Sequence, residues 1–510
     1  MTDRPLPELV ENPKLTLYAF HLCHDMASAE GQRVEDGDRL WENFAKLGQE
    51  LAIEPLATWQ QWLNLPEHGG TVEFRELLSE EIGRCLRFPF SSVDADSETP
   101  EPRRNGELYA LQIHDSYAAD LTFRYSSKVS INELKNLNPQ GKLLPDRIQA
   151  SLGQTLVLFA KPIVNDTHPE TLRQVADRCL NALLAEADPK WQNLSYLGDG
   201  KLLNSPIFEY SNFIEDPAQS CHVIIWLDCH LDTTNLEAEG DYYHPLINLL
   251  CSRWKICFSY YQARDRHREA KAAYHELENQ TKALNNLPSD MSERLTYLKE
   301  SLLLTNLKAF TYASYIRDIE DHRTTLITNF KNYTIFLKHI NQVSGDHQLT
   351  CLQHFSDSRS KFLGQIHTDL HYLRPAKVLF RQYIATLRGI VEVEQAEIDR
   401  DQQQTNQDLQ NQIQAVGVGI AAGAIVASTS GLITEPWQLP NRDRFWLPPH
   451  PFVVALFWSI FCSVGAWLLV EKWISEKLMF SLGAWWPPQQ WIQIKKQQPT
   501  SNQDSDIHRP

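Results

Sequence analysis

Two histidine–aspartate pairs have residue types that could do chemistry. His24-Asp25 and His114-Asp115 each follow an apolar run that is typical of a β-strand. Paired histidine and carboxylate side chains can ligate a metal ion, as in phosphohydrolases. The helical hydrolases of that kind would place such pairs on helices, whereas these pairs follow strands. Ordinary polar strand ends are therefore the favoured interpretation, and a metal-dependent hydrolase is the least favoured function.

Two cysteine–histidine pairs, Cys221-His222 and Cys229-His230, also resemble metal ligands. If the run between them is one strand, eight residues at about 3.3 Å each separate the cysteines by roughly 26 Å. That distance is too long for a shared metal ion, and one pair alone does not complete a site.

Two helical stretches carry incomplete zinc patterns. His367 and His371 have the i,i+4 spacing of a helical zinc site, but Thr368 stands where H-E-x-x-H has glutamate. His275-Glu276 lacks its second histidine, because Asn279 occupies that position. The sequence therefore predicts no metal site, no cofactor and no catalytic residue.

Phosphate-binding and serine-hydrolase motifs are missing from the sequence. No G-x-x-x-x-G-K-[ST], G-x-G-x-x-G or G-x-S-x-G pattern occurs, and Gly198–Lys201 (GDGK) is interpreted as a turn. A non-enzymatic protein is expected.

The charge balance excludes one class of partner. The 510 residues include 48 Lys+Arg against 64 Asp+Glu, a net charge of −16. An acidic chain lacks the basic face that phosphate contacts need, so no nucleic-acid partner is expected.

Nine scattered cysteines without a C-x-x-C motif favour a reduced compartment. The start of the sequence has no apolar core of a signal peptide, which predicts a cytoplasmic N-terminal part.

Residues 1–240 are predicted to form a cytoplasmic domain that mixes strands and helices. Strands are expected at Leu15–Cys23, Leu108–Ile113, Leu156–Ala160 and Val223–Leu227, and helices at Asp38–Ala52 and Pro169–Ala187. Leu17–Ala27 (LYAFHLCHDMA) and Leu108–Ala118 (LYALQIHDSYA) align after a one-residue gap. Two related halves, 1–100 and 105–240, would explain this echo.

Residues 241–414 are predicted to form a bundle of long helices and a polar stalk. Residues 290–343 read as one helix, with a D-x-x-E capping signal at Asp290 and Glu293. From Leu295 to Ile340, a 3-4 spacing of mainly apolar residues favours coiled-coil packing. Pro375 is expected to end a further helix that starts near Gln348. The stalk segment Gln402–Gln414 is very polar.

Two charge-free stretches predict a transmembrane hairpin at residues 415–470. Residues 415–434 and 451–470 are each 20 residues long, about the length that crosses ~30 Å of hydrocarbon. Because the 16-residue link is too short for a domain, both ends of the hairpin lie on one side. We expect both termini in the cytoplasm and a protein of the cytoplasmic (inner) membrane.

Small residues and tryptophans support the hairpin. A small residue recurs every four positions, which allows close helix packing in a membrane; the positions are Ala415, Gly419, Gly423, Ala427 and Gly431, with Ala455, Ser459 and Ser463 on the second span. Trp side chains concentrate at membrane interfaces, and interface anchors are expected at Trp437, Trp446, Trp473, Trp485 and Trp486. Residues 471–510 are expected to be an interfacial helix and a disordered tail.

Two resemblances accompany this architecture. The order of domain, long helices, stalk, first span, short loop and second span is similar to the CorA-type magnesium-channel superfamily, although Thr429–Leu432 (TSGL) stands where that family has Gly-Met-Asn. Arg388–Gln404 (RGIVEVEQAEIDRDQQQ) and Gln414–Ser428 (QAVGVGIAAGAIVAS) resemble an uncharacterised family of bacterial two-span membrane proteins. The first resemblance implies a pentameric cation funnel, and the second brings no activity.

The fold class predicted from the sequence is an α+β cytoplasmic domain, a long antiparallel helical bundle or coiled coil, and a C-terminal two-helix transmembrane hairpin. The expected function is a non-enzymatic membrane protein whose cytoplasmic domain senses or scaffolds and whose hairpin oligomerises. The alternative is a CorA-like passive ion channel or a membrane-perturbing effector. Expected partners are the lipid bilayer, further copies of the chain, and an unidentified cytoplasmic protein or small ligand.

Overall fold

The computed structural model describes residues 8–24, 33–65, 72–90, 104–163, 167–212, 214–430, 453–454, 457–469 and 472. The chain divides into two compact units. The first comprises Met1–Leu287 with Lys299–Leu387, and the second comprises Pro288–Leu298 with Arg388–Pro510.

A single mixed sheet organises the N-terminal part of the described chain. Its strands are β1 (Leu9–Leu22), β2 (Val72–Glu76), β3 (Leu86–Phe90), β4 (Arg104–His114), β5 (Ser116–Tyr125), β6 (Lys128–Ser130), β7 (Gly153–Pro162), β8 (Ser195–Leu202), β9 (Ser205–Ser211) and β10 (Cys221–Leu227). Their order is β2-β4-β5-β1-β7-β10-β9-β8, with β3 on β4 and β6 on β1. Only β7 and β10 pair in parallel among these strands. The predicted mixture of strands and helices is confirmed.

Helices cover both faces of this sheet. They are α1 (Arg39–Glu50), α2 (Glu54–Ala57), α3 (Pro145–Ile148), α4 (Pro169–Leu183), α5 (Thr233–Glu239) and α6 (Tyr243–Ala283). Leu15 and Leu17 of β1 belong to the hydrophobic core that includes α1 and α4. Side chains alternate along a strand, so Thr16 and Tyr18 lie on the other face, where α6 packs against β1 and β7.

The prediction of a turn at Gly198–Lys201 is wrong, because these residues belong to the edge strand β8. The strand runs close to the segment before Thr350, where Lys201 forms a bridge with Gln348. A Cβ atom at Gly200 would lie 2.5 Å from the Gln348 carbonyl oxygen. Glycine is therefore required here for a close backbone approach and not for a turn.

Long helices follow the sheet, as predicted. After α6 come α7 (Met291–Ile340), α8 (Thr350–Asp357) and α9 (Arg359–Ser430). The inner seam of α7 is buried at Leu298, Tyr312, Ile319 and Leu326. The expected stop at Pro375 is wrong, because α9 continues through this residue; the break lies instead at Ser358, between α8 and α9.

The predicted transmembrane hairpin is contradicted. Within the described residues, no helix joins sufficient length to sufficient apolar character for crossing a membrane. In the second stretch, residues 453–454, 457–469 and 472 are described, and they are helical.

Several other predictions depend on that hairpin and are contradicted with it. The integral-membrane function, the CorA-like channel alternative and the localisation in the cytoplasmic membrane with both termini cytoplasmic are all corrected by the same finding. The five expected anchors (Trp437, Trp446, Trp473, Trp485, Trp486), together with Gly431 and Ala455, lie outside the described residues.

Some of the predicted small residues do lie at a close helix contact. Ala415 and Ser459 are buried. A Cβ atom at Gly419 would lie 3.2 Å from the Ser463 carbonyl oxygen and 3.4 Å from the Trp467 Cβ. Gly423 and Ala427 belong to α9. Small residues therefore allow the end of α9 to approach the helix at 457–469 closely.

Candidate ligand cavity

A cavity of about 480 Å³ opens between the sheet edge and the helices of the first unit. Strands β9 and β10 form one wall, and α6, α8 and the first turn of α9 form the other. Four aromatic side chains line it, namely Trp254, Tyr260, Phe355 and Phe362. The volume falls within the range of about 300–1,000 Å³ that is typical of small-molecule sites.

Glu209 is the centre of a polar cluster on the wall of this cavity. Its Oε1 accepts a hydrogen bond from Arg253 Nη2 at 2.8 Å and lies 2.9 Å from His222 Nε2. All three residues line the cavity, and each is less than 9% exposed. A buried carboxylate is thus paired with a buried guanidinium and further held by an imidazole, as buried charges require.

The hydrogen bonds around His222 fix its tautomer. Trp254 Nε1 can only donate, and it donates to Thr155 Oγ1 at 2.9 Å. The ionised Glu209 carboxylate can only accept, so His222 Nε2 donates to it, and His222 Nδ1 accepts from the Thr155 hydroxyl at 2.9 Å. The His222 proton therefore resides on Nε2 and is donated to Glu209.

Burial and charge set the protonation states of the cluster. Burial lowers the pKa of His222 to about 4, and the Arg253 charge adds to the effect, so the imidazole is neutral at pH 7. Burial alone would raise the pKa of Glu209, but Arg253 and His222 outweigh it and lower that pKa. The cluster therefore consists of one anion, one cation and a neutral histidine.

The guanidinium of Arg253 has a second neighbour besides Glu209. Its Nη1 is buried, and the side chain of Tyr333 lies within hydrogen-bonding reach of the group. The guanidinium carbon lies 4.2 Å from the centroid of the Phe355 ring, which fixes the plane of the group by stacking. Because Arg253 lines the cavity, its guanidinium is the group of this wall that can donate to a carbonyl or carboxylate oxygen of a ligand.

A glycine positions the tryptophan of this wall. Gly153, at the start of β7, has a φ of +126°, and a Cβ atom there would lie 2.2 Å from the Trp254 ring. Only glycine lets the indole lie against the strand end. The indole Nε1 then reaches Thr155, two residues along β7.

The cluster has the residue types of a hydroxyl–imidazole–carboxylate triad but not its exposure. Thr155 is fully buried, accepts a hydrogen bond from Trp254 Nε1 and does not line the cavity. A triad nucleophile must reach its substrate. The arrangement is therefore suited to holding a ligand, with Arg253 as the donor and the aromatic side chains as the walls.

The structure brings together parts of the two histidine–aspartate pairs. The backbone N–H groups of Cys23 and His24 both donate to the Asp115 carbonyl oxygen, at 3.0 and 3.1 Å. The Asp115 carboxylate pairs with the buried Lys255 of α6. His114 lies at the β4–β5 turn, and Asp25 lies outside the described residues. The Asp115 carboxylate thus forms an ion pair that links the β4–β5 turn to α6.

The other candidate ligands are not gathered into a site. His367 and His371 are exposed on α9, and the His275 side chain is 72% exposed. Cys221 is buried in the core, on the strand that places His222 in the cavity. Over the described ranges, no group of three or more metal-ligating side chains is arranged to hold an ion.

The decisive residues of the cavity have weak sequence signals. Glu209 is a lone acid within an apolar strand, SPIFEYS, and Arg253 interrupts the apolar run LINLLCSRWKICF. Charged residues are almost never fully buried unless they are paired. A charged residue inside each of two apolar segments therefore indicates that each charge is buried and paired, but it does not show that Glu209 and Arg253 pair with each other.

The comparisons with known proteins add nothing to this geometry. No family model, no curated protein and no solved structure matches the chain.

Proposed function

We propose that the first unit is a ligand-binding module without catalytic activity. The cavity takes a small, planar, mainly apolar molecule that carries a carbonyl or carboxylate oxygen. The observation that carries the proposal is the Arg253 guanidinium, held by Glu209 in a cavity wall that is otherwise lined by aromatic side chains. Aromatic walls with a few placed polar groups are the common composition of small-molecule sites.

The charges of the cavity support a carbonyl or carboxylate acceptor over a cationic ligand. Glu209 is already engaged by Arg253 and His222, so it is not available to pair with a ligand ammonium group. Lys361 also lines the cavity and is exposed at its edge, where it can attract an anion. Recognition of a carboxylate by a guanidinium is charge-assisted and stronger than a neutral hydrogen bond.

Three matched naphthalene probes test this proposal on the full chain by isothermal titration calorimetry. They are 2-naphthoate, 2-naphthamide and 2-naphthylmethylammonium, which share one ring system and differ in the polar group. We expect 2-naphthoate to bind best, the amide to bind more weakly, and the ammonium to bind at least tenfold more weakly than the carboxylate.

Replacing Arg253 with Lys is expected to weaken 2-naphthoate binding about 10–100-fold, since one charge-assisted hydrogen bond contributes about 1.5–3 kcal/mol. Lysine keeps the charge opposite Glu209 but lacks the fork that serves two acceptors at once. Calorimetry with the same probe checks this. Arg268→Lys is the matched control, because Arg268 lies on the same helix in an exposed pair with Asp265.

A cavity-filling variant separates loss of the site from loss of the charge. Cys257 lines the cavity, and Cys257→Trp is expected to abolish binding of all three probes. The proposal is contradicted if 2-naphthoate does not bind the wild-type chain, or if Arg253→Lys and Cys257→Trp bind it as tightly as the wild type does.

A further inference from the structure

Helix α7 exposes a second stripe of side chains that is separate from its buried seam. The stripe repeats with 3-4 spacing and consists of Glu300, Leu303, Leu307, Phe310, Ser314 and Arg317. Leu303, Leu307 and Phe310 are 65%, 57% and 76% exposed. The whole stripe lies in the first unit. Contiguous apolar side chains on a surface mark an interaction site more often than scattered ones do.

The stripe does not belong to the packing of the first unit. The opposite face of α7 already packs inward through Thr305 and Tyr312, which are each 1% exposed. The Tyr312 hydroxyl donates to the Leu373 carbonyl oxygen of α9 at 2.7 Å, and its ring contacts Phe380. At about 100° per residue, Leu303 and Phe310 lie on the far side of the helix from these two residues.

The ends of the stripe carry opposite charges. Glu300 begins it, and Arg317 ends it; the Arg317 side chain is 70% exposed and forms an ion pair with its neighbour Asp318 at 3.0 Å. If a second α7 lies antiparallel about a two-fold axis between Lys308 and Ala309, Glu300 meets Arg317 of the second copy twice. Leu307 then meets Phe310, and Leu303 meets Ser314. A parallel arrangement would instead set Glu300 against Glu300 and Arg317 against Arg317.

We propose that two copies of this chain associate through this stripe, with their α7 helices antiparallel. The same patch serves both copies, as a two-fold interface requires. Two reciprocal ion pairs fix the direction and register, in the way that charges beside a coiled-coil seam choose a partner. Few side chains are covered by the stripe alone, so the dimer is a weak one with a Kd in the micromolar range.

Charge reversal tests the antiparallel register directly. Sedimentation equilibrium of the full chain is measured for the wild type, Glu300→Arg, Arg317→Glu and the double variant. Each single reversal is expected to raise the dimer Kd at least tenfold, because it creates two like-charge contacts. The double variant is expected to return to the wild-type Kd. An equimolar mixture of the two single variants is also expected to dimerise, because both end contacts of the mixed dimer then pair a positive side chain of one copy with a negative side chain of the other.

Two further variants separate this interface from others. Glu320→Arg is the matched control, since Glu320 is exposed on the same helix outside the stripe, and it is expected to leave the Kd unchanged. Phe310→Glu is expected to dissociate the dimer, and circular dichroism verifies that each variant stays helical. A monomeric wild type overturns the proposal. So does a dimer that tolerates Phe310→Glu, or single reversals that the double variant does not rescue.

Discussion

Replacing Glu209 with Gln is expected to lower the free energy of unfolding by about 3 kcal/mol, because it leaves the buried Arg253 without its counter-charge. The ion pair is 2.8 Å long, and both side chains are less than 10% exposed. The amide of the substituted side chain can still accept one hydrogen bond, so the loss lies at the lower end of the ~3–5 kcal/mol that is usual for breaking such pairs. Urea unfolding followed by Trp fluorescence measures it.

Two further variants serve as controls for the loss of stability in Glu209→Gln. Glu186→Gln removes a carboxylate from the exposed pair with Lys135 and is expected to cost less than about 1 kcal/mol. The double variant Glu209→Gln with Arg253→Met removes both charges and is expected to recover most of the loss. A Glu209→Gln protein as stable as the wild type would show that the pair is not buried as described.

The second large effect concerns Asp120, at the centre of β5. Burial raises the pKa of this carboxyl group to about 7. In the register of the sheet, Asp120 lies between Tyr18 of β1 and Tyr109 of β4, and Tyr243 of α6 lies beside it. Thr122 Oγ1 donates to its Oδ1 at 3.2 Å. These neighbours leave the charged form poorly solvated, although Tyr243 and Lys14 oppose the shift.

The direction of the pH dependence follows from that raised pKa. The unfolded chain has an Asp pKa of about 3.9, so the folded state binds the extra proton between about pH 4 and pH 7. Stability from this group is present below pH 4 and is lost as the pH rises through 7. The side chain in Asp120→Asn does not titrate, so this variant does not lose stability as the pH rises through 7. The variant is expected to be about 2–4 kcal/mol more stable than the wild type at pH 8 and no more stable at pH 4.

Urea unfolding at pH 4, 6 and 8 measures the difference between the two proteins. Asp401→Asn provides the control, because Asp401 is exposed on α9, and it is expected to follow the wild type at every pH. A gap between Asp120→Asn and wild type that does not widen as the pH rises would contradict a buried carboxyl with a pKa near 7.

The sheet could be predicted where its strands are continuously apolar. Leu15–Cys23 and Val223–Leu227 correspond to most of β1 and β10, because strands covered by helices on both faces read as apolar runs. Strand β8 could not be predicted, since its Gly198-Asp199-Gly200 is a turn pattern that tertiary contact with Gln348 overrides. Pro375 shows the same effect, because α9 accommodates a residue that local propensity places at a helix end.

The cavity could not be predicted from the sequence for a different reason. Glu209, His222 and Arg253 belong to three elements whose meeting depends on how β9, β10 and α6 pack. The sequence pattern pairs His222 with Cys221, but its actual partners are Thr155 and Glu209. No local spacing relates these residues. The transmembrane prediction depended on two charge-free stretches, and the helices of the described residues do not combine the length and the apolar character that a membrane span needs.

A crystal structure of the wild-type chain with 2-naphthoate tests the proposed binding module most directly. We expect the naphthalene ring between Trp254 and Phe355, and one carboxylate oxygen within hydrogen-bond distance of the Arg253 guanidinium, with the Glu209 ion pair retained. Density for 2-naphthoate only outside this cavity, or a ligand inside it whose carboxylate points away from Arg253, would contradict the proposed ligand-binding function.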